Sequence, residues 1–183
     1  MDYKRLVKSI NINGSEFEIN SDYRDIINIF SMFTDPDLLD EEKTYIAVKM
    51  FYCDCDKLKQ SDYEEASKEL FNFINMGNDY DSNANSKPLY DWEQDYSIII
   101  APINKVLGYD VRGVEYLHWW TFLSAFMEIG ECTFSTYVGI RDKLNHGKKL
   151  EKYEEKILRE NKSAVILKKR VDKSTQELLD SIQ

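Results

Sequence analysis

The chain has 183 residues, 43% of them apolar and 13% aromatic, which is enough apolar material for one sizeable core and excludes disorder for most of its length. Seven Gly and three Pro favour helices over a loop-rich β-barrel, and three Cys do not make a disulfide framework. Residues 1–140 carry 12 basic and 25 acidic groups, whereas residues 141–183 carry 12 basic and 8 acidic groups. The acidic body argues against nucleic acid as a ligand, because phosphates require a positive face.

The sequence also lacks the features of a membrane or secreted protein. No run of about 18 apolar residues occurs, and the first residues contain no apolar signal-peptide core. We therefore expect a protein of the cytoplasm that does not contact a membrane.

Residues 5–20 predict an N-terminal β-hairpin. The dipeptide Asn13-Gly14 is typical of a type I′ turn, in which both central residues need positive φ, and apolar residues alternate on both sides of it. Because a two-stranded hairpin alone is marginally stable, we expect this one to pack on other elements or to pair with a further strand.

Beyond the hairpin, apolar residues recur at helical spacing, and the pattern predicts about six or seven helices. The first ends before Pro36, the second begins near Asp40, and the third is opened by a capping box at Ser61 and ends at Gly77. The polar residues 77–88 then form the clearest loop and the best candidate for a seam between domains.

The second half of the chain predicts three more helices. Residues 91–107 are strongly periodic although Pro102 interrupts them. Residues 114–129 are apolar on nearly every side, which is typical of a helix at the centre of a fold or one partly covered by a partner. A further helix begins at Thr133 and ends near Gly147. The predicted core contains Ile26, Phe30, Leu70, Tyr96, Ile99, Ile103, Phe122, Phe126 and Val138.

Residues 148–183 differ from the rest by their low aromatic content and their many Lys and Glu side chains. Only a thin apolar stripe continues along them, so we expect a charged helical tail that projects from the body. The sequence thus predicts a mainly α, bundle-like domain over residues 1–147, with a short β-hairpin at residues 5–20 and a projecting helical tail at residues 148–183.

The cysteine spacing does not indicate a metal centre. Cys53 and Cys55 are separated by one residue, no second pair accompanies them, and Cys132 is isolated, whereas structural zinc needs four ligands. We interpret all three as free thiols and expect no metal or other cofactor.

The two histidines and one pair of carboxylates are interpreted as structural. His118, with Glu115 one turn before it, could form an acid–base pair, but a histidine at the edge of the core is the preferred interpretation. His146 lies near a helix C-terminus, where the dipole favours a cation; Asp91 is expected to cap a helix and Asp95 to lie in its first turn. No nucleotide-binding loop, nucleophile elbow or zinc-protease motif occurs, so we expect no enzyme activity and no catalytic residues.

Aromatic residues are more numerous in two predicted helices than one buried seam of each would need. Trp119 and Trp120 point about 100° apart on their helix, so either the helix is surrounded or one ring lines a groove. Aromatic side chains supply much of the binding energy at interfaces. The candidate partner-binding residues are therefore Trp92, Tyr96, Tyr116, Trp119 and Trp120.

Three segments carry a resemblance to a known family. They are Tyr90-Asp-Trp-Glu-Gln-Asp-Tyr and its continuation to Asp110, Leu117-His-Trp-Trp-Thr-Phe, and Phe134-Ser-Thr-Tyr-Val-Gly-Ile-Arg-Asp142. Together they resemble the phage family labelled bacteriophage Gp fifteen, over residues 5–160. The resemblance implies a product of the tail modules of long-tailed phages and prophages of Firmicutes, encoded next to the tape-measure gene and generally taken as tail-assembly-chaperone-like.

A protein of this kind would act without catalysis. The resemblance implies that it binds helical, apolar segments of the tape-measure protein before tube subunits polymerise around them, in the cytoplasm of the bacterial host, and that it is absent from the mature virion. Its partners would be the tape-measure protein and other tail proteins, with a homo-oligomer left open. Two alternatives also stay open: a structural tail or virion accessory protein, and a phage regulator that acts on a host protein.

Overall fold

The computed structural model describes residues 4–78 and 87–172. These residues fall into two compact units. The first comprises residues 4–78, 116–120 and 170–172, and the second comprises residues 87–115 and 121–169.

The first unit begins with the predicted hairpin. Strands β1 (Ser9–Ile12) and β2 (Ser15–Glu18) pair antiparallel, with Ile10 opposite Phe17. Asn13 and Gly14 have φ values of 49° and 89°, as a type I′ turn requires, so this prediction is confirmed. The apolar face of the hairpin is buried, and the chain leaving β2 forms a β-bridge to the residue after α2, which gives the hairpin the support it needs.

Three helices complete the first unit: α1 (Tyr23–Phe33), α2 (Asp40–Phe51) and α3 (Tyr63–Ile74). Asp22 caps α1 by accepting a hydrogen bond from the backbone N–H of Arg24. The capping box predicted at Ser61 is not formed. The side chain of Asp62 instead accepts from the N–H of Lys59, and a 3₁₀ turn precedes α3.

The core of the first unit is dense in aromatic rings, because each helix contributes large side chains to it. Phe51 lies 5.1 Å from Phe73 and 4.9 Å from Tyr52 between ring centroids. Its almost fully buried side chains include Ile12, Tyr23, Ile26, Ile29, Phe51, Tyr52, Leu70, Phe73 and Trp119.

The remaining helices are α4 (Tyr96–Leu107), α5 (Trp119–Met127), α6 (Thr133–Asn145), α7 (Lys152–Glu160) and α8 (Lys162–Val165). The first two residues of α5 belong to the first unit and the rest of these helices to the second. Gly108 ends α4 with φ of 80°, as predicted. The described residues are therefore mainly helical with one two-stranded hairpin, which confirms the predicted fold class.

Two predicted helices begin later than expected. Residues 91–95 form a turn before α4, and residues 116–118 run extended before α5. The extended stretch is held by backbone pairing: the N–H of Tyr23 donates to the carbonyl of Leu117, and the N–H of Trp119 donates to that of Ser21. Tertiary hydrogen bonding thus replaces the helix that the local apolar pattern favoured.

The segment after residue 147 also differs from the expectation that it projects. Tyr137, Ile140 and Val165 form a buried cluster, against which Leu150, Ile157 and Leu158 pack. The apolar stripe of α7 is thin, yet Ile157 and Leu158 are sufficient to pack this helix against α6 within the second unit. The part of the predicted tail at residues 173–183 lies outside the described residues, and the proposed division at residue 147 stays a prediction.

The predicted core residues fall into two groups. Ile26, Leu70, Ile99, Ile103 and Phe122 are buried. Phe30, Tyr96, Phe126 and Val138 are half-buried. Residues of the second group are only partly covered, although the ring of Phe126 still packs against those of Tyr90, Trp92 and Phe134.

Candidate functional site

His118 is held by backbone groups on both of its ring nitrogens. Nε2 lies 2.8 Å from the carbonyl oxygen of Val7, and Nδ1 accepts a hydrogen bond from the N–H of Trp120. The carbonyl needs a donor and Nδ1 needs a lone pair, so the proton resides on Nε2 and the ring is neutral. Burial lowers the pKa of His118, which favours the same state. These contacts agree with the interpretation of His118 as a structural histidine.

Trp119 and Trp120 both bind the C-terminal end of α3. Their indole N–H groups donate to the carbonyls of Ile74 and Phe73, at 2.9 and 2.8 Å. The last carbonyls of a helix have no partner within the helix, and Trp119 supplies a donor of this kind to Ile74, whereas Phe73 accepts from Trp120 in addition to the N–H of Met76. Only 1% of Trp119 and 3% of Trp120 are exposed, which agrees with the alternative of a surrounded helix start.

Tyr116 is the candidate residue with an accessible ring in the first unit. Its hydroxyl lies 2.8 Å from the Ser21 hydroxyl, the Lys8 ammonium lies 4.9 Å from the ring centroid, and 44% of the residue is exposed. It borders a polar cavity of about 360 Å³ that also contains Asp22 and Asp25. Burial, and then the Asp22 carboxylate, raises the pKa of Asp25.

Trp92 and Tyr96 belong to the second unit. Trp92 is buried, with its ring 4.9 Å from that of Phe126 and 5.4 Å from that of Tyr90, whereas Tyr96 is half-buried at the start of α4. Of the five candidate residues, three are therefore core residues and two have accessible area. Their role in partner binding stays a prediction.

The carboxylates at the start of α4 have separate tasks. Asp91 accepts hydrogen bonds from the N–H groups of Glu93 and Gln94, so it caps the turn before α4 and not the helix it was predicted to cap, which begins at Tyr96. Asp95 was expected in the first turn of the helix, but it is the N-cap residue of α4. Its side chain is buried and forms a bidentate ion pair with Arg141. The helix dipole alone does not compensate the cost of burying the Asp95 carboxylate. The paired guanidinium of Arg141 provides that compensation.

Cys53 adjoins the cavity that Tyr116 borders, because Asn20 belongs to the lining of that cavity. Cys53 is an exposed residue, and its thiol donates a hydrogen bond to the side-chain oxygen of Asn20. Partial burial of the thiol raises its pKa. Over residues 4–78 and 87–172, no group of three or more His, Cys, Asp or Glu side chains could hold a metal ion. His146 caps the end of α6, with Nδ1 2.9 Å from the carbonyl oxygen of Asp142, as its position predicted.

An open groove runs along α4, and none of the five candidate residues lines it. Its volume is about 620 Å³. We call it the α4 groove. It is lined by Ser97, Ile98, Ala101, Pro102, Lys105 and Val106 of α4 and by residues 128–133, which connect α5 to α6. Pro102 and the apolar residues outside the buried stripe of α4 were the signals that the sequence offered, whereas the opposite wall comes from a turn that no periodic pattern marks.

Within the described ranges, no helix is both long and apolar enough to span a bilayer.

The segments that carry the resemblance contain His118, Asp95 and Arg141, which form the centres of the two buried polar clusters. The family model described as "Bacteriophage Gp15 protein" matches residues 3–167. The chain therefore belongs to this family of bacteriophage proteins. No curated protein and no solved structure matches it significantly.

Proposed function

We propose that this protein is a phage tail assembly chaperone, which binds helical segments of the tape-measure protein before the tail tube polymerises. Membership of the bacteriophage Gp15 family is the observation that carries the proposal. The α4 groove supports it, because an open, partly apolar groove is the kind of surface that accepts an amphipathic helix.

The tasks of the motif residues support a role without catalysis. His118 binds the carbonyl of Val7, and Arg141 binds Asp95 and three carbonyl groups. The ring of His118, which is the group of these two that could transfer a proton near neutral pH, is thus occupied by backbone partners on both nitrogens. A chaperone needs a stable scaffold with an accessible surface and no reacting group.

The release of the tape-measure protein also favours a shallow site. Tube subunits must later displace the chaperone, so a moderate affinity is required, and affinity follows the quality of a few buried anchors rather than contact area. An open groove with exposed walls meets this requirement better than a closed cavity would.

The proposal includes a place of action, the host cytoplasm during tail assembly, and absence from finished particles. Precipitation of the protein from lysates of infected cells, followed by mass spectrometry, is expected to recover the tape-measure protein. Purified particles are expected to lack the protein. Its presence in particles in proportion to tail subunits would instead favour a structural accessory, and recovery of host proteins without the tape-measure protein would favour a regulator.

A further inference from the structure

We propose that the α4 groove binds an amphipathic helix whose apolar seam is flanked by Lys or Arg on the side that faces Glu128 and Glu131. The inference rests on the proposed function for the source of that helix, a tape-measure segment. The apolar seam and the basic flank of that helix are inferred from the residues that line the groove.

The floor and one wall of the α4 groove are apolar. Ile98, Pro102 and Ile129 are half-buried, and Ala101 and Val106 are exposed on the same side of α4. A volume of about 620 Å³ lies within the range of clefts that bury apolar ligand groups. A groove of this volume can hold several side chains from one face of a helix, at positions i, i+3 or i+4 and i+7, and not just one side chain.

The groove also offers a backbone acceptor. Pro102 has no N–H, so the carbonyl of Ile98, four residues earlier, lacks its usual α-helical donor. Both residues line the groove. A donor on the occupant could satisfy this carbonyl, which favours a Lys, Arg or amide side chain beside the apolar seam.

The charges at the rim point in the same direction. Glu128 and Glu131 are exposed on the wall formed by residues 128–133, and Lys105 is the cation on the α4 side. Among the described residues, neither carboxylate has an ion-pair partner. With a formal net charge of −9 on the whole chain, a basic flank gains both local pairing and long-range attraction.

The test uses two synthetic peptides of about 20 residues, long enough to form a helix in water. Both carry the same Leu seam; one has a Lys flank and the other a Glu flank. Fluorescence anisotropy with the full-length protein is expected to show binding of the Lys peptide and at least roughly tenfold weaker binding of the Glu peptide, a ratio that falls as salt is added.

Variants of the groove identify the site. Glu128→Lys with Glu131→Lys should reverse the preference between the two peptides. The matched control is Glu155→Lys with Glu160→Lys on exposed positions of α7, which changes the net charge equally and should retain the preference. Ala101→Glu places a carboxylate on the groove wall and should weaken both peptides roughly tenfold or more, whereas Ser163→Glu on α8 should not. Circular dichroism checks that each variant is folded.

Several results would overturn the inference. They are equal binding of both peptides, loss of preference in the α7 control, or a folded Ala101→Glu variant that binds like wild type. A wild-type dimer in sedimentation that Ala101→Glu dissociates would make a second copy the occupant.

The proposed function fails separately. If the Lys peptide binds in the groove but the tape-measure protein does not co-precipitate, the inference about the groove is retained and the chaperone role is not. If the tape-measure protein co-precipitates equally with Ala101→Glu, the role stands and the groove does not.

Discussion

Arg141 and Asp95, which lie 46 residues apart, form a buried bidentate ion pair in the second unit. Nη1 lies 2.6 Å from Oδ2 and Nη2 lies 2.9 Å from Oδ1, with 4% and 1% of the two side chains exposed. The guanidinium also donates to the carbonyls of Leu89, Ala164 and Val165. One side chain on α6 therefore holds the turn before α4 and the end of α8.

Replacement of Arg141 by Met should be strongly destabilising. It leaves the Asp95 carboxylate buried without a cation, which costs about 3–5 kcal/mol of the free energy of unfolding. The matched control is Arg112→Met, because Arg112 pairs with Asp110 at the surface, where such pairs contribute about 0–1 kcal/mol. Urea unfolding followed by circular dichroism measures both. Equal losses in the two variants would contradict the importance given to the buried pair.

The indole N–H groups of Trp119 and Trp120 should each stabilise the fold. Phe at position 119 leaves the carbonyl of Ile74 without the indole donor, at a cost of about 1–3 kcal/mol. Phe at position 120 should cost less through its hydrogen bond, because the carbonyl of Phe73 also accepts from the N–H of Met76. Tyr109→Phe, at an exposed ring, should change the free energy of unfolding by less than about 0.5 kcal/mol. Thermal or urea unfolding compares them. A Trp119→Phe variant as stable as wild type would show that the α3 carbonyls find another donor.

Local signals were sufficient where the structure is decided locally. Asn13-Gly14 predicted the turn of the hairpin, and Gly108 predicted the end of α4, because positive φ at these positions is a property of the residue itself. Asp91 also acts locally, because its short carboxylate reaches the backbone N–H groups of the next turn. Trp119 and Trp120 were predicted to bind a partner, which stays a prediction, and their hydrogen-bond acceptors on α3 are too far away in the sequence to be predicted from it.

Distant partners explain what was missed. The segment before α5 has the apolar content of a helix, yet pairing with Ser21 and Tyr23 extends it. The many charges after residue 147 predicted a projecting tail, but Lys143 of α6 binds Glu154 at 2.7 Å and Val165 enters the core. The α4 groove is formed by two segments that are 22 or more residues apart in the sequence, so no local pattern predicts it.

Gly108 should be sensitive to replacement, because a side chain there is strained by the left-handed backbone rather than by crowding. Its φ is 80° and an added Cβ would meet nothing within 4 Å. Gly108→Ala should cost about 1 kcal/mol. Gly113, also uncrowded but without positive φ, is the matched control, and its Ala variant should be close to neutral. Equal stabilities of the two variants would contradict the conformational explanation.

Stability should fall in acid partly because of His118. Burial lowers its pKa in the folded state, so below about pH 6.5 the unfolded chain binds a proton that the folded chain does not. The stabilising effect of the neutral ring is thus fully present above that pH and is lost as the pH falls through the folded-state pKa. His118→Gln should destabilise the protein more at pH 7.5 than at pH 5. His146→Gln, at an exposed histidine, provides the baseline; a His118 effect that grows in acid would reverse the assignment.

The most direct test of the chaperone role is the soluble fraction of the tape-measure protein when it is co-expressed with this chain. With the wild-type protein, the tape-measure protein is expected to stay soluble and to elute with it on size exclusion. The unstable Arg141→Met variant should lower that fraction, which links the effect to the folded chain. A tape-measure protein that remains as insoluble with the wild-type chain as it is alone would contradict the account.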